Sequence, residues 1–122
     1  MAESENNTVI SRRAGVALDK GVAVRMVAGV LQLATAADML GVTMYSCKAG
    51  QLVAVAIQGE VDVLLQSALT LDADVEVNAS GRFLDHAGGA SLKVGRALEV
   101  GVAPQSGKYA YGKVYLYEQK AA

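Results

Sequence analysis

The chain of 122 residues is long enough for one domain with its own hydrophobic core and too short for two. Hydrophobic residues make up 52% of it, but no apolar run approaches the roughly 20 residues that span a bilayer, which argues against a membrane partner. The net charge is −1 with both signs scattered, and this lack of a basic face argues against nucleic acid as a partner.

The N-terminus, MAESENNTVI, is polar and acidic and lacks the basic start and apolar middle of a signal peptide. The sequence therefore predicts a protein made in the cytoplasm. Residues 1–13 are expected to form an extended, flexible arm, because most of their side chains offer nothing to bury. Within the arm, Thr8, Val9 and Ile10 are β-formers, and Arg12 and Arg13 are its basic pair.

From Ala14 onward, short β-branched runs alternate with glycines, and turn signals recur about every 8 to 12 residues. The stretch VLQLATAADML begins as a strand, and its part from Thr35 to Leu40 predicts one helical turn with Thr35 as the N-cap. Together the elements predict a mostly β fold. We expect a compact small β-sandwich or barrel formed by a single domain, residues 14–122, with the short helical turn and the extended N-terminal arm.

The stretch LVAVAIQ, residues 52–58, is apolar on both of its alternating faces. A strand of this kind is buried on both sides, or it is buried on one side and used as an interface on the other. Both alternatives remain open from the sequence. Val53, Val55 and Ile57 are the candidate interface residues of this strand.

The segment of residues 69–89 holds several carboxylates and the only histidine, His86. Asp72, Asp74 and Glu76 alternate with apolar residues, which is typical of a half-buried strand with a polar outer face. A calcium loop needs oxygen ligands that converge around a tight turn, and a zinc site needs more than one lone histidine. We therefore expect no metal and no cofactor. The pattern from Val75 to Phe83 predicts a hairpin.

Catalytic chemistry finds little support in the residue pattern. Cys47 and His86 have the residue types of a nucleophile and its base, but they belong to no recognisable catalytic motif. The glycine-rich residues 81–95 lack the strand, GxGxxG and helix context of a phosphate site. No catalytic residue is expected, and a Cys47-based hydrolase is the enzymatic alternative.

The C-terminal stretch YAYGKVYLYE places four tyrosines on one face of a predicted strand, namely Tyr109, Tyr111, Tyr115 and Tyr117. Tyrosine combines apolar area with a polar hydroxyl, which suits a semi-buried sheet face, a protein interface or a platform for sugars. These tyrosines are therefore candidate interface residues. A small glycan-binding β-sandwich that uses this face is the alternative function.

Several short motifs follow one another in a specific order. They are G-x-x-x-x-x-G-x-x-V at Gly15, Gly21 and Val24, A-G-x-x-V-x-V-x-x-x-G at Ala49, Gly50, Val53, Val55 and Gly59, a strand–turn–strand from Val75 to Leu84, and V-G-R-A-L from Val94 to Leu98. In this order the chain resembles the small capsid decoration, or cement, proteins of tailed bacteriophages. The resemblance covers residues 14–116 and does not extend to the tyrosine-rich character of the last strand.

The resemblance implies a non-enzymatic structural protein on the outer capsid surface of the virion. Such a protein binds the expanded head and stabilises it by clamping neighbouring subunits of the major capsid protein. A homotrimer is implied as the form on the shell. Proteins of this kind carry an N-terminal arm that pairs with capsid strands, and Thr8, Val9, Ile10, Arg12 and Arg13 are the corresponding residues here.

Overall fold

The computed structural model describes residues 7–35, 38–88, 92–106 and 108–117, and the mostly β fold is confirmed. In these ranges the elements are nine strands: β1 (Asn7–Arg13), β2 (Ala23–Val27), β3 (Val30–Leu33), β4 (Gly41–Thr43), β5 (Leu52–Leu64), β6 (Asp74–Val77), β7 (Phe83–Asp85), β8 (Gly95–Ala97) and β9 (Tyr111–Leu116). The described residues include no helix that is long and apolar enough to cross a membrane.

The strands form one curled antiparallel sheet in the order β3-β2-β4-β5-β9-β8-β6-β7, and β1 pairs with β5 beside this path. β5 has 13 residues and pairs with β1, β4 and β9. Gly59 of β5 pairs with both Asn7 and Leu116, at a φ of +101° that glycine adopts without penalty. Gly41 brings β4 against β5 so closely that a Cβ would collide with the carbonyl oxygen of Ala56.

Two clusters of buried side chains form the core. The first core cluster contains Phe83 and the inward residues of β6, β8 and β9. The second core cluster contains Leu31 of β3 and Val24 of β2. β5 contributes to both, because Val53 and Val55 lie in the second cluster while Ala56, Val61 and Val63 lie in the first. The face of residues 52–58 that carries Val53 and Val55 is therefore covered by the chain itself, while Leu52 on the other face is exposed.

The helical turn expected from Thr35 to Leu40 is not formed by the residues that the structure describes. Thr35 and Asp38 form an antiparallel bridge: the N–H of Thr35 donates to the carbonyl of Asp38 at 3.1 Å, and the N–H of Asp38 donates back at 3.3 Å. Residues 36–37 lie outside the described ranges. Met39 is buried in the first core cluster and Leu40 in the second, and an extended chain places such neighbours on opposite faces.

The described part of the expected arm is also different from the prediction. Residues 7–13 are β1, paired with β5 in a register that runs from Asn7 opposite Gly59 to Arg13 opposite Leu52. Ile10 packs against the second core cluster. These residues belong to the sheet because the strand-forming side chains meet the edge of a long strand whose backbone groups need partners. Residues 1–6 of the predicted arm lie outside the described ranges.

Thr43 fixes the segment of residues 19–22 from inside the core. Its hydroxyl donates to the carbonyl oxygen of Asp19 at 2.7 Å and accepts the N–H of Val22 at 3.2 Å. Thr43 is itself fully buried, so its hydroxyl depends on these two partners to be hydrogen-bonded. The positions of Asp19 and Lys20 at the surface are set in this way.

Candidate functional site

β1 presents an exposed strand with an unpaired edge. Among the described strands it pairs only with β5, so no described strand pairs with the backbone N–H and C=O groups on its other edge. Thr8, Val9, Arg12 and Arg13 are exposed, and Val9 has 43% of its surface open to solvent. Ile10 alone of the predicted arm residues turns towards a core cluster.

The two arginines at the end of β1 carry charge that no described carboxylate balances. Arg12 donates from Nη1 to the carbonyl oxygen of its neighbour Ser11 at 2.7 Å. Arg13 donates from Nη1 to the carbonyl oxygen of Gly50 at 2.6 Å, which ties β1 to the turn before β5. The ion pairs of the described residues involve other cations. The end of β1 is therefore a small positive patch.

The candidate interface residues on β5 are not a free surface. Val53 and Val55 are fully buried, and Ile57 is half-buried against the second core cluster. The prediction that this strand offers an interface is therefore wrong for Val53 and Val55. The apolar pattern does not reveal whether a partner or the chain itself covers these residues, and here the second core cluster covers them.

The tyrosine strand has the two faces that its sequence predicts. In β9, Gly112, Val114 and Leu116 are buried, while the intervening side chains lie on the outer face. Tyr111 is exposed, and Tyr115 is half-buried. Tyr109 lies just before the strand and Tyr117 just after it, and both continue the alternation of Tyr111 and Tyr115. Tyr109 is exposed and Tyr117 is half-buried.

A row of polar side chains crosses four strands on this outer face. Glu60 pairs with Tyr115, Tyr115 with Arg96, and Arg96 with Asp74. The Tyr117 hydroxyl donates to Oδ1 of Asp74 at 2.8 Å, and the ring centroids of Tyr115 and Tyr117 are 6.5 Å apart. Tyr115 and Tyr117 are therefore integrated into the sheet surface by hydrogen bonding and ring contact.

The carboxylates of the acidic segment are engaged locally. Val75 and Val77 point inward from β6, which confirms the predicted alternation from Asp74 to Val77, whereas Asp72 lies in the turn before the strand at a φ of +67°. Asp85 accepts the N–H of Thr70 at 3.0 Å and its hydroxyl at 2.7 Å, and Glu76 accepts the N–H of Ala87 at 3.3 Å. In the described ranges no group of three histidine, cysteine, aspartate or glutamate side chains is placed to hold a metal ion.

Cys47 and His86 occupy separate parts of the structure. Cys47 is half-buried, exchanges backbone hydrogen bonds of 2.9 Å with Leu18, and packs against the second core cluster. His86 follows β7, and its Nδ1 accepts the N–H of Gly88 at 3.0 Å. The geometry gives Cys47 the role of a packing residue.

A cluster of charged and aromatic side chains lies where β9 begins, and we call it the tyrosine end: Asp19, Lys20, Arg82, Tyr109 and Tyr111. The Tyr109 hydroxyl donates to Oδ2 of Asp19 at 3.1 Å. The guanidinium carbon of Arg82 lies 5.2 Å from the ring centroid of Tyr109, and Nζ of Lys20 lies 5.7 Å from that of Tyr111. Sequence reasoning found the two tyrosines but missed the three charged partners, because no local pattern links these distant segments.

Tyr111 and Tyr117 should ionise later than ordinary tyrosines as the pH rises. Partial removal of Tyr111 from solvent raises its pKa above the ordinary 10.0, and the charges of Asp19 and Tyr109 raise it further. Burial likewise raises the pKa of Tyr117, as do its hydrogen bond to Asp74 and the charge of that carboxylate, while Arg96 opposes the shift. The pKa of each tyrosine is higher in the folded state than in the unfolded state. Its contribution to the free energy of unfolding is therefore complete below about pH 10 and is lost as the pH rises through the folded-state pKa.

The ultraviolet absorbance of tyrosinate measures this titration directly. We expect a late component that shrinks in Tyr111→Phe and again in Tyr117→Phe. Urea unfolding at a series of alkaline pH values should show the matching loss of stability in the wild-type chain. A wild-type absorbance titration without a late component would contradict the prediction.

No protein-family model matches the chain, and no curated protein matches it by sequence. Among solved structures the chain is similar to the head fiber gp8.5 N base of bacteriophage phi29, with a TM-score of 0.61 and 14% sequence identity. The match covers 94% of this chain and 98% of that chain. At this identity the similarity establishes a shared fold over almost the whole length of both chains.

Proposed function

We propose that this chain is a non-enzymatic structural protein of a phage head. In this role it binds the outer surface of the expanded shell and stabilises it by clamping neighbouring subunits of the major capsid protein. The observation that carries the proposal is the fold shared with a phage head fiber base over 94% of the chain. The motifs that resemble capsid decoration proteins support it independently.

The free edge of β1 is the surface that suits this role best. A strand of a capsid subunit that pairs with this edge would satisfy the open backbone groups, as in other cases of strand addition. β1 is already ordered against β5, so binding does not cost the roughly 1–2 kcal/mol per residue of ordering a free arm. The charges of Arg12 and Arg13 favour a capsid strand with acidic side chains opposite them.

The remaining features of the role follow from the same proposal. The protein acts without a cofactor or nucleic acid and is found on the outer capsid surface after synthesis in the host cytoplasm. It forms a homotrimer on the shell. Because Val53 and Val55 are buried in the subunit, the contact between copies uses other surfaces, such as the outer face of β9.

Binding to expanded heads prepared without this protein tests the proposal. We expect saturable binding and a raised melting temperature of the heads. The double variant Arg12→Glu and Arg13→Glu should weaken binding about tenfold or more, which corresponds to about 1.4 kcal/mol. Lys93→Glu with Lys108→Glu is the control, because it changes the net charge equally at exposed sites away from β1. Thermal unfolding checks that this control is folded, since Lys93 forms an ion pair with Asp74 at 3.7 Å. Heads that neither bind the wild-type chain nor gain stability from it would refute the function.

A further inference from the structure

The tyrosine end remains unexplained by head binding through β1. Tyr109 and Tyr111 have 55% and 44% of their surface exposed, although large aromatic side chains are usually covered. Tyr115 and Tyr117, in contrast, are engaged in the polar row across the sheet. The two exposed rings therefore form a distinct surface at one end of β9.

The shape of this surface is set by the backbone beneath it. Gly21 has a φ of +81°, and a Cβ on it would come within 3.1 Å of Cε1 of Tyr111, so this ring lies directly over the glycine. Thr43 fixes the same segment through the carbonyl of Asp19 and the N–H of Val22. The hydrogen bond from Tyr109 to Asp19 then holds the second ring. The site is thus largely formed before any ligand arrives, which reduces the entropy lost on binding.

The charges at the tyrosine end favour an anionic ligand. The carboxylate of Asp19 is engaged by the Tyr109 hydroxyl, and the nearby Asp62 is paired with Lys113 at 3.2 Å. Lys20 and Arg82 form no ion pair with a carboxylate of the described residues. They lie over the two rings, and together with Asp19 they give the cluster two cations and one anion, which leaves a net positive charge.

We propose that the tyrosine end binds an acidic polysaccharide, with Lys20 and Arg82 on the sugar carboxylates and with the parts of the Tyr109 and Tyr111 rings that these cations leave uncovered against the sugars. The C–H groups of a sugar ring carry partial positive charge and suit the negative face of an aromatic ring. The tyrosine hydroxyls and the charged groups supply donors and acceptors for sugar hydroxyls. This activity is separate from head binding through β1 and does not depend on it.

Calorimetric titration of the full chain with hexagalacturonate tests the proposal, with maltohexaose as the neutral sugar of equal length. We expect saturable binding of hexagalacturonate that weakens as salt is added, and clearly weaker binding of maltohexaose. Tyr109→Ala and Tyr111→Ala should each weaken hexagalacturonate binding roughly two- to tenfold. Lys20→Gln and Arg82→Gln should reduce the preference for the acidic sugar. Tyr45→Ala is the matched control, because Tyr45 is half exposed and lies outside the site.

Three outcomes would overturn the proposal. The first is the absence of saturable hexagalacturonate binding, and the second is equal binding of the two sugars. The third is binding that survives Tyr109→Ala and Tyr111→Ala while circular dichroism shows the variants folded. If no sugar binds and these variants lose affinity for expanded heads instead, the tyrosine end is a protein contact and the carbohydrate proposal is wrong.

Discussion

Replacing Phe83 with alanine should lower the free energy of unfolding by about 3–5 kcal/mol. Phe83 is the largest of the fully buried side chains, and it lies in the first core cluster. Its removal loses the transfer free energy of the ring and leaves a cavity that the sheet closes only in part, since β7 pairs with β6 and bridges to Leu65 on its other side. Domains of this kind are stable by about 5–15 kcal/mol, so the variant should be close to unfolding.

Urea unfolding followed by circular dichroism measures this loss. Val102→Ala is the control, because Val102 is 69% exposed and its truncation should stay within about 0.5 kcal/mol. The denaturant slope should be the same for the wild-type chain and both variants if the native surfaces are preserved. A cost for Phe83→Ala no larger than that of Val102→Ala would show that Phe83 is not part of a packed core.

Deleting residues 1–13 should destabilise the body as well as abolish head binding. The deletion removes β1 and leaves the backbone groups along residues 52–59 of β5 without their partners. A backbone hydrogen bond contributes about 0.5–1.5 kcal/mol net, so the loss of several should cost about 3 kcal/mol or more. The bare edge of β5 would also promote aggregation. If residues 1–13 were a flexible arm instead, their deletion would leave the melting temperature of the free body unchanged.

The double variant Arg12→Glu and Arg13→Glu separates the two effects of this deletion. Both side chains are exposed, so the variant should keep its stability within about 1 kcal/mol while it loses affinity for heads. Thermal unfolding of the free protein and sedimentation with heads give the two readings. If the deletion leaves the melting temperature unchanged, β1 contributes nothing to the folded body and the pairing with β5 is not maintained in solution.

Local alternation was sufficient to predict the faces of two strands. In β6 the polar residues Asp74 and Glu76 alternate with the buried Val75 and Val77, and β9 repeats this pattern with its tyrosines. Successive side chains of an extended chain point to opposite faces, so the pattern of a half-buried strand is carried by neighbouring residues alone. The helical turn expected from Thr35 to Leu40 was wrong, because the adjacent residues Met39 and Leu40 are buried in different core clusters.

The residues that cover Val53 and Val55 of β5 could not be predicted from the strand alone. Val53 and Val55 look the same in sequence whether a partner protein or a second core cluster covers them. What covers a strand is decided by segments far away in the chain, here Leu18, Val24 and Leu31 among others. The pairing of β1 with β5 is of the same kind, because Asn7 pairs with Gly59, which lies 52 positions further along the chain.

The sequence by itself determined the mostly β class and the polar and apolar faces of β6 and β9, because a period of two is a property of adjacent residues. The tertiary structure alone decided that β1 is a strand of the sheet with a free edge and that the tyrosine end is a cluster. Asp19 and Tyr109 are 90 positions apart, and they meet only because the sheet order brings β9 beside β5 and Thr43 holds the segment of Asp19 in place. Contacts of this range depend on strand register and packing, which no local pattern of side chains encodes.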